Sequence, residues 1–490
     1  MAVLPYTGTD SNKKYRTKFN FTRFNTRTNQ IVLAALSIIL FLYATLLRPN
    51  SSQFYVMPSI DNIPHILLVL DHQIEYHNSC KHRMNDLISK LTADKYHVSV
   101  MLSADNTHGR YESELIESHI NIIPYHQLIN TLNIVRIDDT PEITAVITYL
   151  WFWTADTTIS ENIIPLLHKH SPGTKHIVFT DDIHYTRQIA NNELLHNELI
   201  FMSDEYTDTL SNEYEQLLQK RELSIYNNVD HIVTVTEHDR TTLQSILNNH
   251  QINNIPISTA RWGHNVTNLP IPTFDSLPLF WHRTGVCYLG NGHIPLNYYS
   301  MKWFFDHVYN ILYRSASGPN PYLHSAPYYL LGPTPNNKYQ PFTTVLTSEE
   351  RASQRIRPLD ISDDIALMHE LQQCRVIINP IQKYSSGINI KIIHAMAAGT
   401  PIITTQLGAR TIDLDTHIKL YSFGTTEHDT PESMAALITR LYSEPQFHEG
   451  LVKNGLAAAK ILQSTELFNI DIQNIITTVI PPKEYDLLKQ

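Results

Sequence analysis

IPHILLVLD, residues 63–71, is apolar without alternation. A strand with one wet face alternates apolar and polar side chains; an uninterrupted run belongs to a sheet covered on both faces. The same kind of run recurs as YHVSVML (96–102), ITAVITYLW (143–151), HIVFT (176–180) and HIVTVT (231–236). Between the first two, Met84, Leu87, Ile88 and Leu91 fall at i, i+3, i+4, i+7, the spacing of one helix face. A proline-rich stretch, NLPIPTFDSLP (268–278), interrupts the series, and the pattern then restarts. GVCYLG (285–290), PYYLLG (327–332), RVIINP (375–380) and PIITT (401–405) are the second set of strands, with NYYSMKWFFDHVYNILY as an amphipathic helix among them. Continuous strands alternating with helices predict an α/β chain of two doubly wound, Rossmann-like domains, with a cleft between the carboxyl ends of their strands.

One segment does not fit a globular body. Residues 31–47, IVLAALSIILFLYATLL, carry no charge over 17 positions, the short end of a membrane-spanning helix at about 17–25 residues. A cleaved signal peptide would have a shorter apolar region and a small-residue cleavage site, and neither is present. A buried core helix would need a polar face nearby, which the flanks do not supply. Ahead of the run, Lys13, Lys14, Arg16, Lys18, Arg23 and Arg27 stand against Asp10 alone. Positive flanks stay cytoplasmic, so the expected arrangement is a single-pass type II anchor with the body in the lumen of the secretory pathway, most simply the Golgi. The basic tail needs no nucleic acid to explain it, and a net charge of −10 over the whole chain excludes a broadly basic nucleic-acid binder. Asn50 and Asn265 open glycosylation sequons that suit a lumenal body. The expected organisation is a cytoplasmic tail (1–30), anchor (31–47), stem (48–62), first domain (63–267), linker (268–278), second domain (279–455) and a C-terminal helical segment (456–490). Cys80, Cys287 and Cys374 are too few and too scattered for a disulfide scaffold or a cysteine zinc site.

The stretch richest in chemistry is KYSSGINIKIIHAMAAGTPIITT, residues 383–405. Ser385, Ser386 and Gly387 form a small-residue loop ahead of a helix expected to begin near Ile388. Free N–H groups at such a helix start, with the dipole behind them, suit a phosphate. Lys391 sits in the first turn, where the dipole disfavours a cation unless an anion is bound nearby. Loop chemistry alone is equally compatible with an ordinary strand-loop-helix and a solvent-facing lysine.

The same stretch resembles the nucleotide-sugar signature of retaining glycosyltransferases of family four (glycosyl transferases group 1). Gly387, Lys391, the run Ala395-Met-Ala-Ala-Gly399, Pro401, Thr404 and Thr405 carry the match. Upstream, Gly290, His293, Pro295, Asn297 and Trp303 resemble a second element of that family. In the first half, LVLDHQIEYHNSCKHRMNDLISKL, VFTDDIHYTRQI and RELSIYNNVDHIVTVTEHDRTTL resemble three more, in order. The resemblance implies the GT-B fold, with the acceptor on the first domain and the nucleotide sugar on the second. It implies transfer with retention of configuration, no metal and no cofactor beyond the nucleotide sugar as co-substrate. His184 and Asp182 are then the catalytic candidates, His184 contacting the donor sugar. Gly290, Asn291, His293, Ser386, Gly387, Ile388, Asn389, Lys391 and His394 are expected on the donor side, and Ser79, Cys80 and Arg83 on an acceptor-side loop. The partners implied are the donor, a glycan or other hydroxyl acceptor, and a membrane.

Three positions depart from the family pattern. Its Glu-x7-Glu pair is replaced by Ser386 and His394, so a histidine stands where a carboxylate would hold the ribose hydroxyls. The first-domain loop lacks the family's glycine, and Asn291 and His293 occupy positions where many relatives carry cations, which leaves Lys391 as the phosphate cation. These changes motivate an alternative, a non-catalytic nucleotide- or sugar-binding membrane protein on a degenerate transferase fold. An epimerase on the same architecture fits the motifs less well. Asp413 and Asp415 spell a metal-type D-x-D beyond the last strand, where this fold has no metal site; Asp363 and Asp364 are expected to favour a helix N-terminus. Eleven of the 15 glycines lie from Gly285 onward, which matches turns kept on the donor side and lost on the other.

Overall fold

The computed structural model describes residues 64–70, 78–102, 115–124, 143–150, 158–170, 173–197, 212–261, 263, 269–290, 294–314, 323, 326–331, 356–359, 361, 363–412, 424–425 and 429–480. The expected tail, anchor and stem, both sequons, Asn291, His293 and the D-x-D at 413–415 lie outside the described residues. Among the described residues no helix is long and apolar enough to cross a membrane.

The first sheet contains β1 (His65–Leu70), β2 (His97–Leu102), β3 (Asn121–Pro124), β4 (Ile143–Leu150), β5 (Lys175–Thr180), β6 (His231–Thr234) and β7 (Ile257–Thr259). All pairings are parallel, in the order β3-β2-β1-β4-β5-β6-β7. β1 is buried along its whole length because side chains on both faces meet helices, as its unbroken apolar run predicts. The helices are α1 (Asn78–Ala93), α2 (Thr158–His170), α3 (His184–Asn197), α4 (Asn212–Tyr226) and α5 (Glu237–Asn249). Met84, Leu87, Ile88 and Leu91 of α1 are all buried in one core with Ile66, Leu68 and Leu70 of β1.

The second sheet is also parallel, with β8 (Val286–Leu289), β9 (Tyr328–Leu331), β10 (Ile356–Leu359), β11 (Val376–Asn379), β12 (Ile402–Thr404) and β13 (Gly424–Thr425) in the order β10-β9-β8-β11-β12-β13. Its helices are α6 (Pro295–Trp303), continued by a π-helical segment (Phe304–Arg314), then α7 (Asp364–Gln373), α8 (Ile390–Ala397), α9 (Gln406–Ala409), α10 (Pro431–Ser443) and α11 (Pro445–Leu462). Asp363 caps α7, accepting from the N–H groups of Ile365 and Ala366 at 3.0 and 3.2 Å, as the Asp-Asp pair predicts. Cys287 on β8 and Cys374 after α7 are joined by a disulfide, with Cα atoms 6.1 Å apart. The count of three cysteines excludes a scaffold, but it does not reveal that two of them meet in the core.

The chain returns to the first domain within the expected C-terminal helical segment. Residue 456 lies inside α11, whose Leu456, Ala459 and Leu462 pack in the second domain. The crossing falls at Gln463 and Ser464. α12 (Thr465–Val479) then places Phe468, Ile472, Ile475, Ile476 and Val479 in the first-domain core. Arg261 fastens it, bonding both Asp471 oxygens at 2.7 and 2.8 Å.

Candidate active site

The site forms where the carboxyl ends of the two sheets face one another. On the first-domain side, β5 ends at Thr180 and the chain turns through Asp181, Asp182 and Ile183 into α3. The first turn of α3 has no acidic residue of its own. Its exposed donors are taken by Glu222 of α4, whose Oε1 accepts from His184 N at 3.1 Å and Oε2 from Tyr185 N at 2.8 Å. Tyr226 OH donates to Oε1 at 2.7 Å. Burial pushes the Glu222 carboxyl up to about 7, against the pull of these three donors. Glu222 thereby fixes the backbone that carries His184.

Asp182 is buried. Its Oδ2 accepts from Arg187 at 2.9 Å and its Oδ1 from Tyr384 OH at 3.1 Å. Burial opposes its charge, yet Arg187, His184 and the hydrogen bond from Tyr384 prevail and hold it below the usual carboxylate range. Asp182 is therefore an ionised counter-charge for Arg187 beside the cleft.

From the second domain, residues 380–389 leave β11 and reach across. Tyr384 OH lies 3.1 Å from Ile183 O and 2.8 Å from Thr186 Oγ1. Ser386 Oγ accepts from Ile183 N at 3.2 Å and donates to Asp239 Oδ1 at 2.9 Å; Gly387 N donates to Asp239 Oδ2 at 3.1 Å. Gly387 has φ +65°, and a Cβ there would stand 2.4 Å from Asp181 O. Only glycine permits that approach. A cavity of about 340 Å³ opens between the walls, bounded by Asp181, Asp182, His184 and Arg187 on one side and by Asn297, Tyr299, Lys383 and residues 384–391 on the other.

Lys391 is the second residue of α8. Its Nζ donates to Asn297 Oδ1 at 2.6 Å and Tyr288 OH at 3.1 Å, and both partners are neutral. Burial, and after it the Arg187 guanidinium, push this ammonium down to about 7. Gly290 makes room for it: a Cβ there would meet Lys391 Nζ at 3.0 Å. Asn389 ends the loop as the N-cap of α8 without making a cap bond, and its amide nitrogen is buried with no acceptor among the described residues. A cation with neutral partners, a helix start and an unmatched donor lining one cavity form a receptor for an anion.

Residues 283–444, about a third of the chain, match the family model described as glycosyl transferases group 1. No curated protein matches. Among solved structures, sucrose-phosphate synthase from Thermosynechococcus elongatus aligns with a TM-score of 0.53 at 12% identity, over 85% of this chain and 98% of that one. Anabaena HepE, in complex with UDP and glucose, aligns with a TM-score of 0.53 at 12% identity, covering 84% and 99%. A glycosyltransferase from Rickettsia africae gives 0.53 at 13%, covering 86% and 100%. The fold is the α/β, parallel-sheet GT-B fold.

Within that fold the expected site residues divide. His184, Asp182, Ser386, Gly387, Ile388, Asn389 and Lys391 come together around one cavity. His394, one turn after Lys391 on α8 and half-buried, does not line it. Arg83 is not on an open acceptor loop. α1 begins at Asn78, so Ser79, Cys80 and Arg83 are helical, and the Arg83 side chain, 1% exposed, pairs with Asp181 at 2.9 Å and donates to Ala260 O at 3.2 Å. The polar composition of residues 72–82 reads as loop, whereas the helix already begins at Asn78. Glu222, Asp239, Tyr384 and Tyr288 are given no role in the sequence reading, and Asn297 enters it only as part of a family element. Thr236 and Asp239 spell a capping pattern that marks the start of α5. Nothing in that pattern says that the carboxylate faces the other domain.

Proposed function

We propose that this chain is a glycosyltransferase that moves a sugar from a nucleoside-diphosphate donor to a hydroxyl of a glycan or other acceptor, with retention of configuration and without a metal ion. The observation that carries the reading is the anion receptor of Lys391 and the α8 start, set across one cavity from His184. The match of residues 283–444 to glycosyl transferases group 1 supports it, and so does the same fold in HepE with UDP and glucose bound. In the reaction, the bond between the anomeric carbon and the diphosphate oxygen breaks and a bond to the acceptor oxygen forms. The acceptor proton leaves with the departing diphosphate. Lys391 and the amides at the α8 start would neutralise the charge that develops on the diphosphate, an electrostatic contribution in place before the reaction begins. His184, on a backbone held by Glu222, would face the sugar.

The body lies in the lumen of the Golgi or another secretory compartment, held by residues 31–47 as a type II anchor. The basic residues ahead of that run support the orientation. The Cys287–Cys374 disulfide supports an oxidising compartment. Protease digestion of the body in sealed microsomes, without detergent, would overturn this placement.

A donor-hydrolysis and transfer assay over a panel of nucleotide sugars tests the activity, with the product anomer read by NMR. Lys391→Ala should weaken donor binding by about tenfold or more, the scale of a lost charged hydrogen bond. Unchanged affinity would remove the phosphate role. Nucleotide binding without turnover under several acceptors would replace the enzyme with the binding protein that Ser386 and His394 motivate.

A further inference from the structure

A single carboxylate of the first domain receives two adjacent donors of the donor-side loop, Ser386 Oγ and Gly387 N. Asp239, 2% exposed, is the third residue of α5. Its Oδ1 accepts from Ser386 Oγ at 2.9 Å; its Oδ2 accepts from Gly387 N at 3.1 Å and from Thr236 Oγ1 at 2.6 Å. Thr236 Oγ1 in turn accepts from Asp239 N at 3.0 Å, so the carboxylate is fixed from its own side before the other domain reaches it. Every partner is a donor, and an acceptor-only carboxylate satisfies all three at once.

The consequence concerns the amides at the start of α8. Gly387 N–H already has its acceptor, and that acceptor belongs to the protein. The cavity is lined beyond it by Ile388, Asn389 and Lys391. The close approach of Gly387 to Asp181 O holds the loop against the first domain at the same point. Asp239 itself does not line the cavity, so it acts through the loop.

We infer that Asp239 is a positioning residue: it clasps Ser386 and Gly387 across the domain boundary and so sets Ile388, Asn389 and Lys391 against the donor diphosphate. This rests on the donor reading above. Its structural half, that Asp239 holds the loop, can be tested without any turnover.

The full-length chain and its Asp239→Ala, Asp239→Asn and Ser386→Ala variants are compared by two measurements. Amide hydrogen exchange over residues 384–387 without nucleotide reads the clasp. Steady-state kinetics with the active donor reads its effect. Asp239→Ala should speed loop exchange and raise the donor KM by about tenfold each, with the acceptor KM unchanged. Asp239→Asn keeps an acceptor for Gly387 N–H and can donate to Ser386 Oγ, so it should stay within about threefold of wild type. Asp239→Ala with Ser386→Ala should cost less than the sum of the two single variants, since both break the Asp239–Ser386 bond while Ser386→Ala alone also releases Ile183 N. Unchanged exchange, or a lower melting temperature with an unchanged donor KM, overturns the inference. If Asp239→Ala does not fold, Ser386→Ala breaks the same bond from the loop side, and its failure to alter exchange overturns it equally. Should the wild type turn over no donor, faster exchange in Asp239→Ala would still establish the clasp, and the failure would belong to the proposed function.

Discussion

The two halves of the molecule solve the same backbone problem with a different balance of residues. In the first domain, left-handed φ angles occur at the exposed Lys95, His119, Gln251 and Asn254, and at one glycine, Gly263, where a Cβ would stand 2.1 Å from Phe468 Cβ of α12. In the second they occur at one half-buried residue, Asp429, and at Gly285, Gly387 and Gly399, where a Cβ would stand 2.5 Å from the Tyr329 ring, 2.4 Å from Asp181 O and 2.4 Å from Leu277 Cδ1. An L residue in this region costs about 1–2 kcal/mol, which a surface turn tolerates. A turn pressed against another backbone cannot accept the side chain at all. The glycine asymmetry therefore records close approach, and at Gly387 the approach is between domains. The fastening differs too. The second domain has a disulfide, whereas the first sets the His184 turn with a buried carboxylate from α4.

The sharpest way to break the contrast is Gly387→Ala. It combines a left-handed alanine with a contact against backbone that cannot step aside, so the loss should be about 2–5 kcal/mol in denaturant titration, with donor affinity falling in parallel. Wild-type behaviour in both would mean that the domains are not held at this point.

Glu222 offers a smaller effect with a definite sign. Its carboxyl is raised to about 7 by burial, from an ordinary value near 4.5. A raised acid contributes stability that is complete below its unfolded value and is lost as pH climbs through the folded one. Glu222→Gln should therefore gain stability relative to wild type between pH 5 and pH 8, read as the difference in melting temperature at each pH. A difference that does not change with pH would show that Glu222 is not held near neutrality.

The smallest effect is expected in the first domain. Gln251 follows α5, where Ile252 N bonds Leu247 O and Gln251 N bonds Asn248 O, both at helix-ending geometry. Gln251→Gly should stabilise by about 0.5–1 kcal/mol, because the relief of strain outweighs the extra freedom of the unfolded chain. A loss on substitution would mean that the exposed turns carry contacts of their own.

Nine strands are legible as continuous apolar runs, and the four that are not are β3, β7, β10 and β13, the edges of the two sheets. An edge strand has one neighbour and is incompletely covered: β3 is partly exposed where it is described, and β7 is half-buried throughout. The signature of double burial is therefore missing from NIIP and IST. The site divides along the same line. Residues that make a local pattern, from Ser386 to Lys391 and from Asp182 to Arg187, could be read in order. Their partners are distant in sequence: Glu222 lies 38 residues from His184, and Asp239 lies 148 from Gly387. No periodicity links positions so far apart.

By itself, the sequence determined the two α/β halves, the proline-rich join and the loop-helix that carries Lys391, because burial on two faces and turn chemistry act between neighbours along the chain. Only the tertiary structure decided which carboxylate answers which donor. Cys287 meets Cys374, Arg83 is spent on Asp181, and Gly387 N–H is taken by Asp239 because folding brings these groups within bonding distance and removes the water that would otherwise have served them.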